Sequence, residues 1–308
     1  MSPVDARSGA AVSFCGLPLR HPIVNGSGTF DVIAARRVFG EAVIARFPFS
    51  AYVSKTITPA PRAGNPPPRL WEEPAALVNS IGLPNKGLDG FLEADLPALA
   101  ELPVPLIVSV MATSAGEFAA LVEPLAALPE IAAIELNVSC PNVHSGLIVG
   151  ERPDETEGLL RRLRPLTGKP LIVKLTPNVA DPAPIAAAAE AAGADAIALI
   201  NTLKARPMRD GEPWLGAGSG GLSGPAVRTV ALRHVSEVAS RVALPLVGMG
   251  GVERGSHARD LIDAGATIVA VGTANFRDPL AAERILAELR EGDRGAPAGE
   301  GQGSVAGG

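Results

Sequence analysis

The chain has 308 residues, 47% of them apolar and 19% charged, with mean hydropathy +0.24, which is enough to bury a sizeable core and excludes both intrinsic disorder and a disulfide-stapled miniprotein. Two cysteines, Cys15 and Cys140, cannot build a disulfide framework, and the first residues lack a basic segment followed by an apolar signal core, so a cytoplasmic protein is expected. A net charge of −5, a pI near 5.5 and the lack of any run of about 18 uninterrupted apolar residues exclude a general affinity for nucleic acid and a membrane span.

Short apolar, β-branched runs alternate with Ala/Leu/Arg segments of helical period, the signature of βαβ units. In chain order the strands are expected at 22–25, 51–55, 106–110, 132–137, 171–175, 196–201, 246–249 and 268–272. The helices that follow them are expected at 32–47, 87–98, 115–127, 155–166, 182–192, 226–242, 256–264 and 279–291. Asp154 with Glu157 has capping-box spacing, Asp181-Pro182 and Asp278-Pro279 read as helix starts, and Gly193 and Gly265 read as left-handed helix ends. Eight repeats without a break in composition predict a single (β/α)8 barrel over 1–291, with a doubly wound open sheet as the alternative. Residues 292–308, rich in Gly, Ala and Glu, read as a disordered tail. Three long connections, 56–86, 138–154 and 202–225, all follow strands and so belong at the carboxyl-terminal mouth of the barrel.

Polar residues gather at the predicted strand ends. Lys55 and Lys174 each close an apolar strand, and two ammonium groups at one mouth suit an anionic or electron-rich ligand better than two snorkelling side chains. The glycine clusters Gly248 to Gly251 and Gly272-Thr273, at the last two strands, suit a phosphate held on backbone N–H groups, whereas GxGxxG and P-loop spacings are absent. Cys140 sits between Asn137 and Asn142, where a thiol in a closed site can act as a base. Cys15 reads as packing, Glu135 as a structural carboxylate, and His234 and His257 as solvated residues of outer helices. His144 shares the Cys140 loop, and no set of His and Cys has metal-ligand spacing. Asn79, Asn85, Asn137, Asn142 and Asn201 offer donors and acceptors without charge, which suits an oxoheterocycle or amide-like ligand.

Several motifs together resemble the class 1 dihydroorotate dehydrogenases: Asn25-Gly26-Ser27-Gly28, Ser54-Lys55-Thr56, the Gly64-Asn65-Pro66 to Arg69 stretch, Asn79-Ser80-Ile81-Gly82-Leu83-Pro84-Asn85, Leu136 to Asn142, and Val173-Lys174-Leu175. The similarity runs from about Leu17 to Arg290. Cysteine rather than serine at position 140 implies class 1 rather than the membrane-associated class. Ile200-Asn201-Thr202-Leu203, Gly220 to Pro225, Gly248 to Gly251 and Val271 to Phe276 lean toward the NAD-linked B type.

The resemblance implies an FMN enzyme of pyrimidine biosynthesis that oxidises dihydroorotate to orotate. Cys140 would remove the C5 proton while a hydride leaves C6 for the flavin. It implies substrate contacts from Lys55, Asn79, Ile81, Gly82, Leu83, Asn137, Asn142, Asn201 and Thr202. It implies FMN contacts from Gly26, Ser27, Lys55, Thr56, Asn137, Lys174, Gly224, Gly250, Gly251, Gly272 and Thr273, with no metal in this chain. In the B type a homodimer of this subunit pairs with two copies of an iron-sulfur subunit carrying FAD and [2Fe-2S]. The alternatives are the A type, a homodimer that reduces fumarate, another FMN barrel such as a tRNA dihydrouridine synthase, and a non-enzymatic barrel kept for assembly.

Overall fold

Eight strands share one sheet in the computed structural model, which describes residues 4–138 and 149–294. They are β1 (Ile23–Asn25), β2 (Tyr52–Val53), β3 (Leu106–Val110), β4 (Ile131–Asn137), β5 (Leu171–Lys174), β6 (Ala196–Leu199), β7 (Leu246–Met249) and β8 (Ile268–Val271). The order β1-β8-β7-β6-β5-β4-β3-β2, with parallel ladders throughout, carries the chain once around a barrel and sets aside the doubly wound alternative. These strands are apolar because helices cover them outside and side chains fill them inside.

The seam between β1 and β2 is closed by side chains. Buried Asn25 donates from Nδ2 to the Val53 carbonyl at 2.8 Å and accepts from the Val53 N–H on Oδ1 at 2.9 Å, so its amide does the work of a backbone peptide. Ser50 N–H adds a bond to the Ile23 carbonyl at 3.0 Å. Phe30, Phe47, Phe49 and Tyr52 pack edge to face beside this seam, with the Phe30 and Phe49 centroids 5.2 Å apart. Elsewhere the core is mainly Val, Ile, Leu and Ala, with Phe14, Phe91 and Phe118 set singly among them.

Helices follow the strands: α1 (Val32–Phe39), α2 (residues 87–99, including a π-helical turn Phe91–Asp95), α3 (Ala115–Ala126), α4 (Pro153–Leu163), α5 (Ala183–Ala191), α6 (Arg228–Ala239), α7 (Gly255–Asp263) and α8 (Ala281–Arg294). The expected helix 32–47 breaks at Gly40, whose φ of 67° ends α1, and only Ala42–Ala45 resumes it. The capping box at Asp154 does not form: Arg152 occupies the cap position, Asp154 pairs with Arg152, and Glu157 instead binds Arg161 one turn on. Asp181 and Asp278 do receive the backbone N–H groups of Ala183 and Leu280, each at 2.9 Å. His234 corrects another expectation, since it is only 2% exposed; it shares the inward stripe of Ala231, Val235 and Val238 on α6.

Two of the long connections are themselves sheet. Leu70–Glu73, Ala76–Asn79, Gly220–Ser223 and Leu203–Ala205 form a four-stranded antiparallel sheet over the mouth, with Asn79 opposite Gly221 and Leu203 opposite Leu222. At the other end, the hairpin Val12–Phe14 with Leu17–Leu19 precedes β1, and Cys15 in its turn donates from Sγ to the Asp195 carbonyl just ahead of β6, at 3.4 Å.

Candidate active site

The carboxyl ends of the strands surround a cavity of about 550 Å3, within the range of small-molecule and cofactor sites. Its lining includes Gly26 and Ser27 after β1, Lys55 and Thr56 after β2, Asn137 on β4, Lys174 on β5 and Asn201 and Thr202 after β6. Gly250 and Gly251 follow β7, Gly272 and Thr273 follow β8, and the mouth sheet adds Asn79 and Gly224. Ile81 and Leu83 also line it. Gly82 between them does not; at φ 76° it packs so closely on Asn65 that a Cβ would lie 2.4 Å from the Asn65 nitrogen. Cys140 and Asn142, with His144, lie outside the described residues.

One side of the cavity is cationic and amidic. Lys174, 5% exposed, donates from Nζ to Ser27 Oγ at 3.0 Å and lies 3.9 Å from Glu135 Oε1. Glu135 accepts from Ser109 Oγ at 2.9 Å, Ser109 Oγ lies 2.9 Å from Thr56 Oγ1, and Asn137 Nδ2 reaches Thr56 Oγ1 at 3.3 Å. Asn201 then donates to Asn137 Oδ1 at 3.4 Å. A continuous polar chain thus crosses β2 to β6 beneath the cavity. Lys55 runs along Gly28, where a Cβ would sit 3.2 Å from its Nζ.

The opposite side is built from backbone. Gly251 has φ 70°, and a Cβ there would meet Arg228 Cβ at 2.8 Å and the Gly224 carbonyl at 3.0 Å, so only glycine lets these two loops touch. Gly224 opens the turn Pro225–Val227 that leads into α6, and Thr273 precedes the turn Ala274–Arg277. Thr273 Oγ1 bonds Ser223 Oγ at 2.9 Å, tying β8 to the mouth sheet.

Asn85, grouped with the ligand amides in the sequence, is a loop staple: it accepts from Thr58 N and Gly87 N and donates to Thr58 Oγ1 and the Leu83 carbonyl. Cys15 is a packing thiol, its pKa pushed up to about 12 by burial and then by Asp195. Among the described residues no group of three His, Cys, Asp or Glu could hold a metal ion. Ser109, Ser223 and the Glu72–Arg277 ion pair beside the cavity escaped the sequence reading. A lone hydroxyl inside the apolar run of β3 marks Ser109, but Ser223 and Glu72 carry no local signal.

Comparison with known proteins agrees with this geometry. The family described as dihydroorotate dehydrogenase matches residues 9–292. The catalytic subunit of dihydroorotate dehydrogenase B (NAD(+)) from Geobacter metallireducens is 42% identical over 291 residues, covering 92% of this chain and 93% of the relative. The same subunit from Desulforudis audaxviator is 46% identical over 287 residues, 91% of each chain, and that from Geobacillus kaustophilus 41% over 285 residues, 91% of this chain and 89% of the relative. With a match across nearly its whole length, the chain belongs to the dihydroorotate dehydrogenase family.

Proposed function

We propose that the protein oxidises (S)-dihydroorotate to orotate on FMN, in pyrimidine biosynthesis, and passes the electrons to NAD through a separate subunit. The observation that carries this reading is the convergence of Lys55, Lys174, Asn137 and Asn201 on one side of a cavity whose lining also holds Asn79 and the glycine turns after β7 and β8. The residues fit a phosphorylated flavin. Gly224, Gly250, Gly251, Gly272 and Thr273 would hold the phosphate on backbone groups of the turns after β7 and β8 and the mouth sheet, and Gly26, Ser27, Thr56, Asn137 and Lys174 would hold the ring system. When bound, FMN would supply the acceptor for the hydride that leaves C6.

The chain's own groups do the rest. Cys140 takes the C5 proton. Lys55, Asn79, Asn137, Asn142, Asn201 and Thr202, with the backbone N–H groups of Ile81 and Leu83, orient the carboxylate and ring amides. Lys174 places positive charge where reduction builds negative charge. Residues 1–291 serve as one catalytic domain, followed by a tail. The working assembly is a homodimer of this chain with two copies of an iron-sulfur subunit carrying FAD and [2Fe-2S], located in the cytoplasm. No helix among the described residues is long and apolar enough to cross a membrane.

The test is spectroscopic. Protein loaded with FMN should bleach on anaerobic addition of dihydroorotate, and Cys140→Ala should slow that bleaching about 100-fold or more, as loss of a positioned base does. A protein that takes up no FMN, or a Cys140→Ala variant that bleaches at the unaltered rate, overturns the reading.

A further inference from the structure

Asn201 and Thr202 line the cavity from the corner where β6 gives way to the mouth-sheet strand Leu203–Ala205. A corner aims side chains less precisely than a strand does, because no ladder fixes it. The barrel ladder ends just before Thr202: the Asn201 N–H donates to the Leu175 carbonyl at 3.2 Å, and Pro177, two residues on, has no N–H to continue it.

The Asn178 side chain stands in for the missing peptide. Its Nδ2 donates to the Thr202 carbonyl at 3.0 Å, and its Oδ1 accepts the Lys204 N–H at 2.8 Å. A parallel neighbouring strand grips a residue in this way, through the carbonyl before it and the N–H after it, here on either side of Leu203. The amide has only one workable orientation, since a carbonyl must meet its NH2 end and an N–H its oxygen. Nδ2 also donates to Thr176 Oγ1 at 2.8 Å, and the same hydroxyl accepts the Asn178 N–H at 3.2 Å. Thr176 is buried, so the amide is held from behind as well.

Gly221 confines the corner from the other side. It lies opposite Asn79 in the mouth sheet, and a Cβ there would sit 2.0 Å from Thr202 Oγ1, so only glycine lets the hydroxyl come this close. Asn79 Nδ2 bonds the Gly221 carbonyl at 3.3 Å, and the Thr202 N–H donates to Asn201 Oδ1 at 2.9 Å. Three residues that line the cavity thus share one support.

We propose that Asn178 is a positioning residue for the substrate: acting as a strand peptide it fixes the Thr202 corner, and through Thr202 it sets the grip on the pyrimidine ring. Asn178 does not itself line the cavity, so its effect on a ligand must travel through that corner. The clamp is a property of this chain alone. That the ring it serves is a pyrimidine rests on the dihydroorotate reading.

The clamp is tested first without a ligand. In the FMN-free full chain, Asn178→Ala should speed hydrogen exchange of the Lys204 amide about tenfold or more relative to the Ile197 amide of β6. An unchanged ratio overturns the proposal. In the FMN-loaded protein, orotate affinity, read from the flavin absorption shift, should weaken about tenfold, the worth of one or two hydrogen bonds, with FMN affinity within about twofold of wild type. Equal losses of both ligands would mean a loosened fold and would sink the idea. The sharper readout is the pair of variants: in a Thr202→Val background, Asn178→Ala should weaken orotate by less than about threefold, because its route to the ligand is gone. Fully additive losses count against the proposal. Thr176→Val keeps Asn178 but removes the hydroxyl behind it, and should weaken orotate by a smaller factor in the same direction. If Asn178→Ala does not fold, this variant decides, and an unaltered orotate affinity overturns the proposal. Should the FMN-loaded wild type bind no orotate while the Lys204 amide is released as expected, the clamp stands and the dihydroorotate reading fails.

Discussion

The two sides of the cavity offer an anion opposite solutions. The β2 to β6 side uses charged and amide side chains wired through Glu135, Ser109 and Thr56, whereas the β7 and β8 side presents the backbone of the glycine turns Gly250-Gly251 and Gly272. A side-chain cation can sit where charge changes during a reaction, because its strength is set by what lies behind it. A backbone cradle suits charge that never changes, because it needs only shape. The first should therefore fail through chemistry and the second through fit.

The largest effect should come from Lys174→Met, which keeps the aliphatic stem and deletes the charge. Anaerobic bleaching should slow about 100-fold or more. Unfolding free energy should also drop by about 3–5 kcal/mol, because Glu135 is left buried and unpaired, and Lys174→Met with Glu135→Gln should recover much of it. Denaturant unfolding of the three variants checks this; an additive loss in the double variant would mean the two groups are not coupled.

Acid sharpens the comparison from outside the cavity. His21 lies 7% exposed ahead of β1, accepts the Ile23 N–H on Nδ1, and has its pKa pushed down to about 4 by burial, then by Arg20 and Arg290. Its folded pKa lies below the unfolded value, so the unfolded chain binds the extra proton. Its contribution is complete above the ordinary histidine value and is lost as pH falls toward 4. About 3 kcal/mol of unfolding free energy should disappear over that window, and His21→Asn should remove most of this slope.

The smallest effect should be Gly251→Ala. A side chain at φ 70°, pressed against Arg228 and the Gly224 carbonyl, costs about 1–3 kcal/mol. FMN affinity, read by fluorescence on release, should weaken about tenfold or more, with the pH dependence of the flavin potential unaltered. A changed pH dependence would erase the distinction between the two sides.

Much of this was legible beforehand because it is written locally. Each strand-helix repeat carries its own period and punctuation, so all eight pairs were found, and the residues at the strand ends fell to the mouth once the barrel was assumed. Local pattern misleads where competing near neighbours or the facing of a helix decide: Asp154 pairs with Arg152 and does not cap α4, His234 is turned inward by its helix, and the Asn85 amide is spent on Thr58, Leu83 and Gly87 and not on a ligand. The mouth sheet leaves no local trace because Asn79 and Gly221, which pair in it, are 142 residues apart.

By itself, then, the sequence determined the repeat, the barrel and the set of polar residues at its mouth, because periodicity and strand-end chemistry need only near neighbours. Tertiary structure alone decided that Asn25 closes the barrel, that two long connections become one sheet over the cavity, and that Glu135 stands behind Lys174. Those outcomes depend on ring closure and on register between strands far apart in the chain, which no local pattern encodes.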